Sequence, residues 1–233
     1  MALILGIETS TSVCSVALTD GERILSLRES ASANEHSAML TNYLEDVMRD
    51  AGKNFDELDA IAVSIGPGSY TGLRIGVSSA KGLCYALNKP LIAIDTLQAI
   101  AWQALLGIDK ANDNLLLCPM IDARRMEVYT ALYSTGLEII SPVEATIVDE
   151  FFYNRYKNYT IYLMGNGAKK CRDILKSRSD IYFSDIDKTS AIGICALAQT
   201  KFKQNEFADI AYCEPFYFKD FIAGKPKVKG LYE

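Results

Sequence analysis

The order of secondary-structure signals constrains the fold of this chain more than any single motif does, because the same order occurs twice. Apolar runs at residues 3–8 (LILGIE) and 13–18 (VCSVAL), the Asp20-Gly21 turn and RILSLRES read as three antiparallel strands in series. A helix over 36–51, a strand over 58–65, a glycine-rich loop, a helix over 74–88, the strand LIAI and a helix over 95–106 follow. After the polar break DKANDN the pattern restarts with NLLLCPMID (114–122), MEVYTALY (126–133) and a Ser134-Thr135-Gly136 turn into LEIIS. VDEFFYNRY then reads as helical, YTIYLMG as strand, AKKCRDILK as helix, IYFSD as strand and SAIGICALAQTKF as helix. Two successive β-β-β-α-β-α units predict a duplicated α/β protein of mixed sheets covered by helices. The expected lobes are 1–108 and 109–218, followed by a loosely held tail, 219–233, that carries Lys219, Lys225, Lys227 and Lys229.

Composition bounds the function. A chain of 233 residues that is 49% hydrophobic can bury a substantial core, and a formal net charge of -5 excludes an unaided grip on nucleic acid. Cys14, Cys84, Cys118, Cys171, Cys195 and Cys213 are widely spaced, without a C-x-x-C pair, and read as buried thiols of a reducing compartment. The opening MALILGIETS lacks a positive n-region, and no later run approaches the roughly eighteen apolar residues of a membrane span. A cytoplasmic protein without membrane contact is expected.

Glu8 and Asp122 end the first strand of each unit. Facing carboxylates there are what a two-lobed phosphotransferase uses to hold magnesium and align water beside a nucleotide. The residues that follow, Thr9-Ser10-Thr11 and Ala123-Arg124-Arg125, lack the glycine turn that lets backbone approach phosphate, so a structural or vestigial role for Glu8, Ser10 and Asp122 competes with a working site. SIGPGSYTGLRIG, residues 64–76, is the most distinctive string. Its Gly66, Pro67, Gly68, Ser69, Thr71, Gly72 and Arg74 specify a particular strand-to-helix turn, and the helix start beside Arg74 could take an anion. It is not a P-loop, because no Gly-Lys follows at the required spacing. Gly165-Asn166-Gly167 could cradle adenosine or phosphate, or could be an ordinary turn.

The helices following these loops carry surplus apolar surface. Ile75, Ser79, Gly82 and Ala86 share a narrow face of mostly small residues, while Val77, Ala80, Leu83, Cys84 and Leu87 point elsewhere, toward a core. In the 36–51 helix, Met39, Leu40, Tyr43, Leu44, Val47, Met48 and Ala51 span roughly 180°, wider than packing on one sheet requires. Burial on several sides and a protein interface both satisfy this pattern. The lone histidine, His36 in NEHSAML, has Leu40 four residues on, so the helical metal pair at i and i+4 is missing, and no G-x-S-x-G supports a serine nucleophile. His36 reads as a residue of the first helical turn, with Asn34 or Glu35 near the cap.

Taken in order, LGIETSTSVCSVAL, NEHSAML, SIGPGSYTGLRIGVSSAKGL, IDARRMEVYTALY and the late EPFYFKD closely resemble the TsaB (YeaZ) family along nearly the whole chain. The resemblance implies an actin/Hsp70/sugar-kinase (ribonuclease H-like) fold, which agrees with the duplicated units. It implies a role in making threonylcarbamoyl-adenosine (t6A) at position 37 of tRNAs that read codons beginning with A. It also implies a non-catalytic paralogue of the transferase TsaD that pairs with TsaD through N-terminal-lobe helices. A TsaE-like ATPase would join the assembly, a TsaC-type synthase would supply threonylcarbamoyl-adenylate, and tRNA would be reached only through the complex. TsaD carries metal on an H-x-x-x-H helix, where this chain reads His36-Ser37-Ala38-Met39-Leu40, so no such iron or zinc site is expected. Glu8 stands where the family commonly has Asp.

The expectation is therefore a scaffold subunit that docks through Met39, Leu40, Tyr43, Val47, Ile75, Ser79, Gly82 and Ala86, requires no cofactor and has no catalytic residue of its own. ATP, ADP or Mg would sit, if anywhere, at a vestigial or inter-subunit site, and a homodimer is expected in isolation. The rivals are a nucleotide-hydrolysing enzyme using Glu8 and Asp122, and a metallopeptidase, as the older glycoprotease label suggests.

Overall fold

A computed structural model describes residues 1–30, 36–108 and 114–218, with residues 36–38 described in backbone only. The expected cap at Asn34 or Glu35, the His36 imidazole, the lobe break at 109–113 and the lysine-bearing tail lie outside the described residues.

The first unit comprises β1 (Leu3–Glu8), β2 (Cys14–Asp20), β3 (Arg23–Ser30), α1 (His36–Asp50), β4 (Ala60–Gly66), α2 (Tyr70–Leu87), β5 (Leu91–Asp95) and α3 (Thr96–Ala104). The second comprises β6 (Leu115–Asp122), β7 (Glu127–Tyr133), β8 (Ile139–Ile147), β9 (Thr160–Met164), α4 (Ala168–Leu175), β10 (Ile181–Phe183) and α5 (Ala191–Lys203). The five-stranded sheets run β3-β2-β1-β4-β5 and β10-β9-β6-β7-β8, the same order read from opposite ends. In each, the hairpin-linked strands pair antiparallel, and the strand reached by a crossover joins in parallel. All of β1 is buried, as expected of a central strand covered on both faces.

One expected element is absent. VDEFFYNRY contains turns and a short 3-10 helix, Asn154–Tyr156, where the first unit has α1. Tyr153 turns left-handed (φ 50°), and Phe152 and Tyr153 stack at 4.3 Å and pack with Val148 into the outer face of the second sheet. Two large rings fill the space that a helix fills in the first unit.

The lobes are also laced together. α1 and α2 cover the outer face of the first sheet, while its inner face packs against Ile194 and Ala198 of α5, from the second unit. Conversely, α3 of the first unit packs Leu97, Ile100, Ala101 and Ala104 onto Leu115, Leu117 and Ile121 of β6. A Cβ on Gly6 would lie 2.5 Å from Cys195 Sγ, so α5 rests directly on β1. Gln199 Nε2 donates to Ala2 O (2.8 Å) and Lys201 Nζ to Ala93 O (3.0 Å), which fixes α5 along the same sheet. A cut at 108/109 thus separates the strands but not the helices that cover them.

Beyond α5 the chain runs back over the first lobe as a strap. Ala208 pairs with Leu91, Lys81 Nζ donates to Ala211 O (3.1 Å) and Cys213 O (3.0 Å), and Phe216 N donates to Ile65 O (2.6 Å). Five cysteines are buried free thiols and Cys213 is half-buried; burial pushes Cys118 and Cys195 up to about 12. Among the described residues no helix is long and apolar enough to cross a membrane.

Candidate functional site

The glycine-rich string packs against the β1–β2 turn. Helix α2 begins at Tyr70, four residues earlier than its periodicity suggests, because Ser69 caps it by accepting from Gly72 N (3.2 Å). Gly72 therefore lies inside the first helical turn. Cβ atoms added at Gly68 and Gly72 would stand 2.3 Å from Ser10 O and 2.1 Å from Thr9 O. Ser69 N donates to Ser10 O (2.6 Å) and Thr9 Oγ1 to Gly72 O (2.8 Å), so the two segments form one backbone-to-backbone contact. Gly66, at φ 117°, precedes a cis bond to Pro67 and meets Phe216 O of the strap. Thr71 and Arg74 are exposed on α2, and Arg74 donates to Tyr70 Oη (2.9 Å). The space where an anion would approach this helix start is filled by the chain's own turn.

The two strand-end acids have different surroundings. Glu8 is 0% exposed; its Oε1 accepts from Ser10 N (2.6 Å) and from Ser10 Oγ, while Oε2 and the neighbouring Ser64 Oγ lack a hydrogen-bond partner. Burial outweighs these hydrogen bonds and raises its pKa from 4.5 to about 7. Asp122 is exposed; it pairs with Lys170 and accepts from Arg124 N (2.8 Å), and its own N donates to Asn166 Oδ1 (2.9 Å). Gly165 (φ 91°) and Gly167 lie against β6, where a Cβ would stand 2.4 Å from Met120 O and 3.0 Å from Ile121 C respectively. A magnesium-nucleotide site needs an accessible acid, a second acid free to orient water, and open backbone amides. Here one acid is sealed, the other is neutralised, and the glycine backbones are covered, so these residues do not fit that group. Among the described residues no three His, Cys, Asp or Glu side chains gather as metal ligands.

The helix faces divide differently from the sequence expectation. Leu40 and Val47 are buried with Leu44 and Met48 in the core over the first sheet, and Met39 and Tyr43 are half-buried. The wide apolar face of α1 is absorbed because the helix lies in the angle between β2, β3 and α2. Leu40 and Val47 are thus corrected from docking residues to core residues. On α2, Val77, Ala80 and Cys84 are buried, Ile75 and Ser79 are half-buried, and Gly82 and Ala86 are exposed. The open face is centred near Ser78 and includes Tyr85, 85% exposed, so it is turned roughly 50° from the expected stripe at 100° per residue. Ile75 causes the rotation by packing inward on the core. The same angular arithmetic places Tyr85 with Ser78 and Gly82, a signal the small-residue criterion passed over. The strap, which no local pattern announces, adds a groove of about 310 Å³ along this face, lined by Arg74, Lys81, Glu214 and Tyr217 among others.

Comparisons with known proteins bear on the family and the fold. Residues 29–220 match the family model described as "TsaD: tRNA N6-adenosine threonylcarbamoyltransferase". The chain is 28% identical over 229 residues to the "tRNA threonylcarbamoyladenosine biosynthesis protein TsaB" of Escherichia coli, covering 95% of this chain and 96% of that one. It is 33% identical over 177 residues to the Bacillus subtilis protein of the same name, covering 74% and 75%. Among solved structures, YeaZ from Pseudomonas aeruginosa superposes with a TM-score of 0.78 at 24% identity, over 93% of this chain and 100% of that one. A polyphosphate/ATP-glucomannokinase from Arthrobacter, at 10% identity and TM-score 0.51, covers 88% of this chain and 100% of its own, and shares the two-lobed fold of sugar kinases.

Proposed function

Because the chain belongs to the TsaB (YeaZ) family, within the group matched by the TsaD model, we propose that it is a scaffold subunit for threonylcarbamoyl-adenosine formation on tRNA. It docks a TsaD-like transferase through the outer face of α2 and stabilises that partner's active form. The chemistry stays in the partner, on tRNAs that read codons beginning with A. A TsaE-like ATPase joins the assembly, and a TsaC-type synthase supplies the activated threonylcarbamoyl group. The chain needs no cofactor of its own; any ATP, ADP or Mg binds between subunits. In isolation the same face pairs two copies of the chain.

The observation that carries this reading is the uncovered stripe of α2, where Ser78, Gly82, Tyr85 and Ala86 stay exposed while the opposite side is buried on the sheet. Small residues let a second helix approach closely, and a solvent-facing tyrosine is an interface anchor. The occlusion of Glu8 and the pairing of Asp122 weigh against a nucleotide-hydrolysing enzyme.

The test is Gly82→Arg. A Cβ at Gly82 meets nothing within 4 Å, so the arginine does not clash within the chain, and helix propensity favours it by roughly 0.8–1 kcal/mol. The variant is expected to fold with an unchanged or raised Tm and to lose co-elution with the TsaD-like protein. Retained co-elution and retained tRNA modification in cells would place the docking surface elsewhere. Calorimetric titration of the isolated chain with Mg-ATP is expected to give no stoichiometric heat; clear binding lost in Glu8→Ala would favour the enzyme.

A further inference from the structure

We propose that the β6–β7 turn and the first turns of α4 form a surface for RNA phosphates, through which this chain itself touches the tRNA. Arg124 (φ 72°) and Arg125 (φ 50°) are consecutive left-handed residues, a conformation that asparagine and glycine adopt far more readily. The turn is clamped from beneath. Lys170 Nζ donates to Arg125 O (2.8 Å) and Glu127 O (2.7 Å) besides pairing with Asp122, and Ala123 N donates to Glu127 O (3.1 Å). Lys170 thus holds the turn with its own charge satisfied, and the adjacent arginines stand free. Both are exposed, and among the described residues neither side chain makes a hydrogen bond or ion pair.

Helix α4 extends the charge. Lys169 and Arg172 are exposed, three residues apart on its surface, and Arg172 lies over the Phe183 ring at 4.6 Å. Asp122 is engaged with Lys170, and the one acid of α4, Asp173, is exposed, 3.7 Å from Lys176 and one turn from Lys169. Four exposed cations, Arg124, Arg125, Lys169 and Arg172, outnumber that acid and leave the surface locally basic on a chain whose net charge is -5. Phe218, the last described residue, sits against Tyr129 of β7 at 6.0 Å, on the same hairpin.

The chemistry favours a phosphodiester backbone. Guanidinium forks match phosphate oxygens, and cations spread over a convex surface without a pocket suit a ligand whose charge is also spread. An acidic protein partner would instead need an apolar centre inside the charged rim, and no large apolar side chain of the turn or of α4 is exposed. The overall acidity of the chain keeps this a local contact that adds to whatever grip the partner supplies.

The inference rests on the chain acting in a tRNA-modifying complex, and its test separates the two. The double variant Arg124→Asn/Arg125→Gly relaxes the left-handed backbone, so Tm should hold or rise. Binding of unmodified tRNA to the full-length chain complexed with its TsaD-like partner is followed by fluorescence anisotropy between 50 and 200 mM salt. Affinity at low salt is expected to fall about tenfold, and the slope of log K against log salt to become shallower by about 1.5, from two lost phosphate contacts. Lys169→Gln/Arg172→Gln should act in the same direction. Unchanged affinity and slope in both variants overturn the proposal, as does stronger competition by polyglutamate than by tRNA. If the unaltered chain forms no complex with the TsaD-like protein, the docking reading fails, and tRNA titration of the free chain and its variants still decides the surface.

Discussion

Glu8 shows how the surroundings of a strand-end acid set its chemistry. Its carboxyl is sealed at the end of β1, and burial raises its pKa from 4.5 to about 7. The folded state therefore binds more protons than the unfolded chain between those values, and stability falls as pH rises through that window. Glu8→Gln removes the titration and keeps the shape. Its gain over the unaltered protein should grow between pH 5 and pH 8 toward roughly 3 kcal/mol, from about 1.4 kcal/mol per pKa unit. Urea denaturation at the two pH values measures it, and a pH-independent difference would mean that Glu8 titrates normally. The sequence places Glu8 and Asp122 at equivalent strand ends, which the structure repeats. It could not tell their fates apart, because these depend on Lys170, 48 residues from Asp122, and on the burial that closes over Glu8.

The second helix illustrates what periodicity does and does not carry at the level of an element. It identifies α2 and its buried side, since Val77, Ala80 and Cys84 recur at core spacing. It misplaces the start, because a glycine at position 72 reads as loop while the structure uses it for contact with Thr9 O. Two glycines of one helix should thus respond in opposite senses to alanine. Gly72→Ala should cost about 2 kcal/mol or more through overpacking, and Gly82→Ala should add about 0.5–1 kcal/mol through helix propensity. Thermal denaturation of both variants checks the contrast; equal effects would show that the Thr9 contact yields freely. The non-helical 148–156 segment escaped pattern reading because Phe152 and Tyr153 satisfy the buried face without a helix. The α1 stripe misled for the reverse reason, its whole width being covered by β2, β3 and α2.

Across the whole molecule, the exchange of α3 and α5 makes the repeats interdependent. The duplication is legible in the order of elements, but the exchange is not, because each helix carries the same apolar pattern whichever sheet it meets. Residues 1–108 expressed alone should lack cooperative unfolding and dispersed amide resonances, since the inner face of the first sheet lies open without α5. Supplying residues 109–233 in trans should restore both; an independently folded first half would refute the dependence. The exchange also sets a timetable. Every strand of the first sheet has been synthesised by Asp95, yet the helix that closes it ends at Lys203. At about 5–20 residues per second, a ribosome takes roughly 5–20 s to cover that interval. For that time the nascent chain presents the apolar inner face of an unfinished sheet, and its first half can reach its final packing only once α5 has been made.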